Sequence, residues 1–152
     1  MTDQAVGDVA DARVLLFRLA SRIYGCSLSE VREIVPVRRA TRLPGAPSYV
    51  SGLINLRGTI MTVVHLGRRL GVSEESRVDG SIILVEHGSQ CMGFEVDEVM
   101  DVQPLVTERM EVGGEALIGG ENVRGIVKGM GHLDGSVVVV LDVAKLVGQI
   151  LL

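Results

Sequence analysis

Three histidines, two cysteines, a run of carboxylates and one arginine at a hairpin bend are the side chains best able to do chemistry in this chain. His65, His87 and His132 stand at none of the spacings that a zinc site or a catalytic relay uses. His65 closes the apolar run "TIMTVVH" and reads as a surface or strand-end residue. Cys26 and Cys91 have no histidine pattern beside them and read as buried or half-buried, inert thiols. "GMGHLDG" (129–135) has the glycines of a phosphate loop, but the strand-like "SVVVVL" follows it where a phosphate site needs a helix N-terminus. The run "EVDEVMD" (95–101) alternates, which puts Glu95, Asp97 and Asp101 on a solvent face that discourages edge-to-edge pairing. The sequence therefore implies no catalysis, no metal and no cofactor.

The arginine is different. "GLINLRGTIMTVVHL" joins two apolar runs through Arg57-Gly58, and Leu56-Arg57-Gly58-Thr59 reads as a tight turn with glycine at a positive φ. Asn55 is placed to bond to the turn's own backbone. The chain supplies an internal control, because "GTIMTVVHLGRRLG" (58–71) repeats as "GSVVVVLDVAKLVG" (135–148) at an offset of 77. The turn there is Leu133-Asp134-Gly135-Ser136, and His132 replaces Asn55. A turn that accepts either charge does not demand arginine: either Arg57 is simply solvated, as an exposed hairpin arginine usually is, or a demand for it comes from something that meets it.

The elements around the turn repeat as well. "VLLFRLASRIYGCSLSEVREIVP" (14–36) lies over "IILVEHGSQCMGFEVDEVMDVQP" (82–104) at an offset of 68, with nine extra residues entering the second copy around "GGEALIGG". Each copy reads as a β-branched run, a short piece that is strand or a single helical turn, a hairpin, and a closing helix ending in glycine. Ser27 with Glu30 has capping-box spacing, whereas "FEVDEVMDV" alternates more like a strand. The organisation expected is a flexible 1–12 and a domain 13–152, with copy one over about 13–78 and copy two over about 79–150; terminal strands are free to stay or to exchange. Nineteen glycines do not suit helices, and units this small bury enough surface only by closing or leaning on each other. The expected fold is mainly β, with two small five-stranded β-barrel subdomains packed together and a few short helices.

Composition narrows the partners. Hydrophobic residues make up 47% and aromatics only 3%. A rival reading, a β-barrel binding oligosaccharide or single-stranded nucleic acid, needs exposed aromatic platforms, and Phe17, Tyr24, Tyr49 and Phe94 are the only candidates. The net charge of −4 also speaks against nucleic acid. Residues 1–77 carry 11 basic and 7 acidic side chains (+4), and residues 78–152 carry 4 and 12 (−8), which suits pairing within or between molecules. The acidic "MTDQAVGDVADAR" is unlike a signal peptide, the longest apolar run is too short for a bilayer, and two cysteines make no disulfide framework. A reduced cytoplasmic protein without direct membrane insertion is expected.

From Pro44 to Gly71, "PGAPSYVSGLINLRGTIMTVVHLGRRLG" resembles the CheW family of chemosensory coupling proteins, through its Asn-Leu-Arg-Gly hairpin and proline-glycine-alanine-proline lead-in. The likeness extends less specifically over Val14–Pro36 and "VRGIVKGMGHLDGSVVVVLDVAKLV". It implies two five-stranded β-barrel subdomains, no catalysis, and a cytoplasmic scaffold recruited to receptor arrays. Its partners would be the cytoplasmic tip of a chemoreceptor and the regulatory domain of a CheA-type histidine kinase; separately, the opposed charge of the two halves suggests weak head-to-tail self-association into rings. The receptor-facing residues it implies are Val31, Glu33, Gly52, Asn55, Leu56, Arg57 and Gly58. Thr62 and His65 depart from the proline and the strand-closing aspartate usual in the family, which points to an auxiliary pathway such as gliding, pili or surface sensing.

Overall fold

Val14, Leu15, Leu16 and Phe17 follow one another in strand β1 (Arg13–Leu19), and all four are buried. A strand with no polar face must be covered on both sides. Val14 and Leu16 join one small cluster with Leu105, Val138 and Val140, while Leu15 and Phe17 enter a larger one. The computed structural model describes residues 13–105 and 125–150. The expected flexible 1–12 and the insertion around "GGEALIGG" lie outside the described residues.

The other strands are β2 (Arg22–Ser27), β3 (Val31–Pro36), β4 (Val50–Leu56), β5 (Thr59–His65), β6 (Ser81–His87), β7 (Gln90–Val96), β8 (Glu98–Pro104), β9 (Val127–Leu133) and β10 (Ser136–Leu141). Two short helices, α1 (Leu66–Leu70) and α2 (Val143–Ile150), follow β5 and β10. The strands form two five-stranded sheets, ordered β8-β1-β2-β10-β9 and β3-β6-β7-β5-β4. Each sheet takes its first two positions in the repeat from one copy and its last three from the other. The repeat is therefore real, but its halves are not the halves of the molecule.

Equivalent pairs are made in the same way. β2 with β10, and β7 with β5, are the two parallel pairs, and all the other pairings within the sheets are antiparallel. Ile82 and Leu84 fill the second sheet's own cluster with Ile54, Met61 and Val63, the counterpart of Val14 and Leu16 in the first. Ile83, Val85, Leu15, Phe17 and residues of both helices share the large cluster between the sheets. Phe17, Tyr24 and Phe94 are buried there, so three of the four aromatic rings are unavailable as stacking platforms.

Neither sheet is a fully closed barrel. The expected barrels are open along β3/β4 and β8/β9, whose strands are sheet edges. In the second sheet a flat arrangement would hold β3 and β4 about 19 Å apart, four strand spacings. The chain just beyond β3 nonetheless pairs with β4, since Thr41 N donates to Leu53 O and Leu53 N donates to Thr41 O, each at 2.8 Å. The sheet is curled until this short bridge all but closes it.

Local chemistry explains the remaining elements. Leu28–Glu30 is a single 3₁₀ turn without a side-chain cap from Ser27, and Pro36 ends β3. Helix α1 ends at Gly71 with φ 74°, but α2 runs through Gly148, contrary to the sequence expectation, and continues to Ile150, which packs on the shared core. His65 caps α1 by accepting a bond from Arg68 N at Nδ1 (3.1 Å), as Asp142 Oδ1 accepts from Lys145 N in the other copy. Its Nε2 then carries the proton and donates to Glu75 O at 2.6 Å. His65 is thus a strand-end residue as expected, but buried, because both ring nitrogens are used inside the protein.

One turn carries avoidable strain. Ala20, between β1 and β2, has φ 55°, whereas its counterpart Gly88 has φ 63°. An L-residue there costs about 1–2 kcal/mol, partly offset by the entropy glycine would restore to the unfolded chain. Ala20→Gly is expected to stabilise the protein by about 0.5 kcal/mol in a urea titration. A loss of stability would mean that the methyl group is needed.

Candidate functional site

The Arg57-Gly58 bend turns β4 directly into β5, with φ 53° at Arg57 and 86° at Gly58, the two positive values of a type I′ hairpin. Asp134 and Gly135 repeat it at 48° and 81°. Asn55 is the structural cap that its position suggested, its Oδ1 accepting from Gly58 N at 2.9 Å. Aspartate and asparagine tolerate the left-handed region through such local bonds, but arginine gains nothing from the backbone there. The turn therefore disfavours Arg57, and its side chain must be explained by what it meets.

It meets Glu33. Arg57 Nη1 donates to Glu33 Oε1 at 2.8 Å and Nη2 donates to Oε2 at 2.5 Å, a two-pronged fork between the end of β4 and the opposite edge strand. The fork fastens the hairpin tip across the open seam, as Thr41–Leu53 fastens the middle. At the equivalent place on the first sheet stand Asp101 and Asp134, two carboxylates that cannot pair; Asp101 bonds instead to Val102 N and the Gln103 amide. The two seams are therefore electrostatically different despite the repeat.

The fork's hydrogen bonds hold the Glu33 carboxyl below the ordinary glutamate range, with smaller contributions from the charges of Arg57 and Arg32. A depressed carboxyl contributes stability that is present above its unfolded value, about 4.3, and is lost as pH falls through the folded one. The Glu33 side chain, followed by carbon-detected NMR, should titrate below that value in the wild type. In Arg57→Gln it should return to the ordinary range, and unchanged midpoints would mean that no fork forms in solution.

The other candidate residues divide. Val31 is half-buried and packs on the shared core, and Leu56 packs on the second sheet's own cluster. Gly52 is buried away from the surface, with φ 139°, beneath the Thr41 backbone. Glu33, Asn55, Arg57 and Gly58 are the members the fold brings together at the seam. Two exposed apolar residues on these strands were not singled out: Ile34, next to Glu33 in β3 and 41% exposed, and Ile60, paired with Asn55 and 65% exposed. Ile34 faces out in phase with Arg32 and Pro36, so an isoleucine sharing a strand face with an arginine was a usable signal.

Glu95 corrects an expectation. It is 8% exposed, not solvated, because β7 lies inside its sheet, and Ser51 Oγ donates to its Oε1 at 3.0 Å. Cys26 is buried, its thiol pushed up to about 12 mainly by burial and further by Glu30, while Cys91 is half-buried.

The seam presents exposed charge and apolar surface on a fastened sheet edge, in a protein built from two strand-exchanged repeats. Residues 13–150 match the family model described as CheW-like domain, and the chain belongs to that family. A relative named chemotaxis protein CheW, from Thermotoga maritima, is 28% identical over 137 residues, covering 90% of this chain and 88% of its own. The crystal structure of the scaffolding protein TtCheW from Thermoanaerobacter tengcongensis superposes with a TM-score of 0.75 at 28% identity, over 86% of this chain and 88% of that one. Protein PilI of Pseudomonas aeruginosa is 33% identical over 88 residues, 57% of this chain and 49% of its own.

Proposed function

We propose that this protein is a non-enzymatic adaptor that couples the cytoplasmic tip of a chemoreceptor to the regulatory domain of a CheA-type histidine kinase. The observation that carries the reading is the Asn-Leu-Arg-Gly hairpin, displayed at the seam and tied to Glu33, with Ile60 exposed opposite Asn55 and Ile34 exposed on the edge strand that carries Glu33. An apolar helical surface laid along the seam would cover the isoleucines and meet Arg57 at the rim. Val31, Leu56 and Gly52 support that surface from behind. The kinase contact uses another part of the molecule.

The family and its scaffolding relatives support the coupling role. No helix among the described residues is long and apolar enough to cross a membrane, which suits a cytoplasmic protein brought to receptor arrays by its partners. An auxiliary output is supported by Thr62 and by the likeness to PilI. His65 no longer argues for it, since it does the capping work of Asp142. The unequal charge of the sequence halves supports weak head-to-tail self-association. That association should be visible by light scattering at millimolar protein in low salt, and its absence there would remove it from the account.

The test of the coupling role is calorimetry with the CheA regulatory domain of the same organism and with a receptor-tip fragment. Saturable binding to both, without competition between them, is expected. Binding to neither would leave a CheW-like fold with another client.

A further inference from the structure

We propose that a second docking site, which binds an acidic, apolar-anchored peptide segment of a partner protein, lies in the cavity beneath the β3–β4 loop. The cavity encloses about 480 Å³, and Arg38, Arg39, Arg42 and Arg68 all line it. Arg68 is held in place by the carbonyls of Glu74 and Ser48. Arg38, Arg39 and Arg42 have no hydrogen-bond or ion-pair partner among the described residues, although the protein as a whole is negative. Three unmatched guanidiniums around one cavity favour an anionic occupant.

Two further features choose the kind of anion. Glu95, at 8% exposure, lines the same cavity, and an acidic side chain in the wall works against a small, highly charged anion such as phosphate. Leu43 and Val78, 39% and 97% exposed, also line it. An occupant that buries apolar side chains on Leu43 and Val78 while presenting carboxylates to the arginines satisfies both. The loop is already fixed in shape by the Thr41–Leu53 bridge and the packing of Gly52 under Thr41, so little ordering is needed on binding. Ser51, at the cavity, and Arg57 are six residues apart along an extended strand, about 20 Å, so this site and the Arg57 seam are distinct.

The probe is a fluorescein-labelled twelve-residue peptide alternating Glu or Asp with Leu, read by anisotropy and by amide shifts in NMR. Saturable binding that weakens with salt is expected, with shifts concentrated at residues 37–51 and 76–78. The triple variant Arg38→Gln, Arg39→Gln, Arg42→Gln should melt like the wild type but bind roughly tenfold or more weakly, as should a peptide with Ser in place of Leu. No saturable binding up to millimolar peptide, or equal binding by the triple variant, would overturn the proposal. Displacement by pyrophosphate at equal concentration would overturn it in favour of a free-anion site. The inference rests on the adaptor reading only in taking the ligand to be a protein. Receptor-tip binding, measured on the same triple variant, distinguishes failure of one from failure of the other.

Discussion

Gly52→Ala is expected to cost about 3 kcal/mol of stability and to lower the melting temperature by roughly 6–12 °C. A Cβ at Gly52 would stand 2.1 Å from the carbonyl oxygen of Thr41 and 2.6 Å from its carbon. Those are backbone atoms, held by two 2.8 Å hydrogen bonds to Leu53, so no side chain can swing aside. The φ of 139° adds a conformational penalty of its own. Gly58→Ala is the control, because glycine there has φ 86° but nothing within 4 Å of the added Cβ. It should cost only about 1 kcal/mol. Equal losses in a denaturant titration would mean that the Thr41 bridge yields, and that the seam is not fastened as described.

The second large effect is on binding. Arg57→Glu should weaken the receptor-tip complex roughly thirtyfold or more, the range of an interface hot spot, while kinase binding is retained. Stability should change little, because the fork is solvent-exposed and such pairs contribute little to folding. The double variant Glu33→Arg, Arg57→Glu separates two roles. If the fork matters only by fastening the seam, the swap restores both the bond and the complex. If Arg57 itself meets the receptor, the swap restores the bond and leaves binding weak. A large fall in melting temperature for Arg57→Glu alone would make the arginine structural and remove it from the proposed surface.

The hairpin was legible because its geometry is local: Arg57-Gly58 and Asp134-Gly135 adopt nearly the same dihedrals, and Asn55 caps the first within three residues. The repeat was legible because equivalent residues fill equivalent clusters, as Val14 and Leu16 correspond to Ile82 and Leu84. Strand exchange was not, since an offset between two segments says that they are alike but not which strands they pair with. β1 and β2 lie with β8, β9 and β10 through contacts far apart in the chain. Alternation likewise misplaced Glu95: period two assigns a face, but only the neighbours of β7 decide whether that face is wet. The partner of Arg57 was hidden for the same reason. Glu33 stood among the candidates through a resemblance, but nothing local joins positions 24 residues apart on opposite edges of a curled sheet.

The most direct measurement of the central claim is autophosphorylation of the CheA-type kinase on receptor-bearing vesicles, with and without this protein. The account predicts that the wild type raises the rate and places it under receptor control, whereas Arg57→Glu binds the kinase but leaves the rate at its receptor-free level. A rate that is indifferent to the protein, or fully supported by Arg57→Glu, would contradict coupling through the seam.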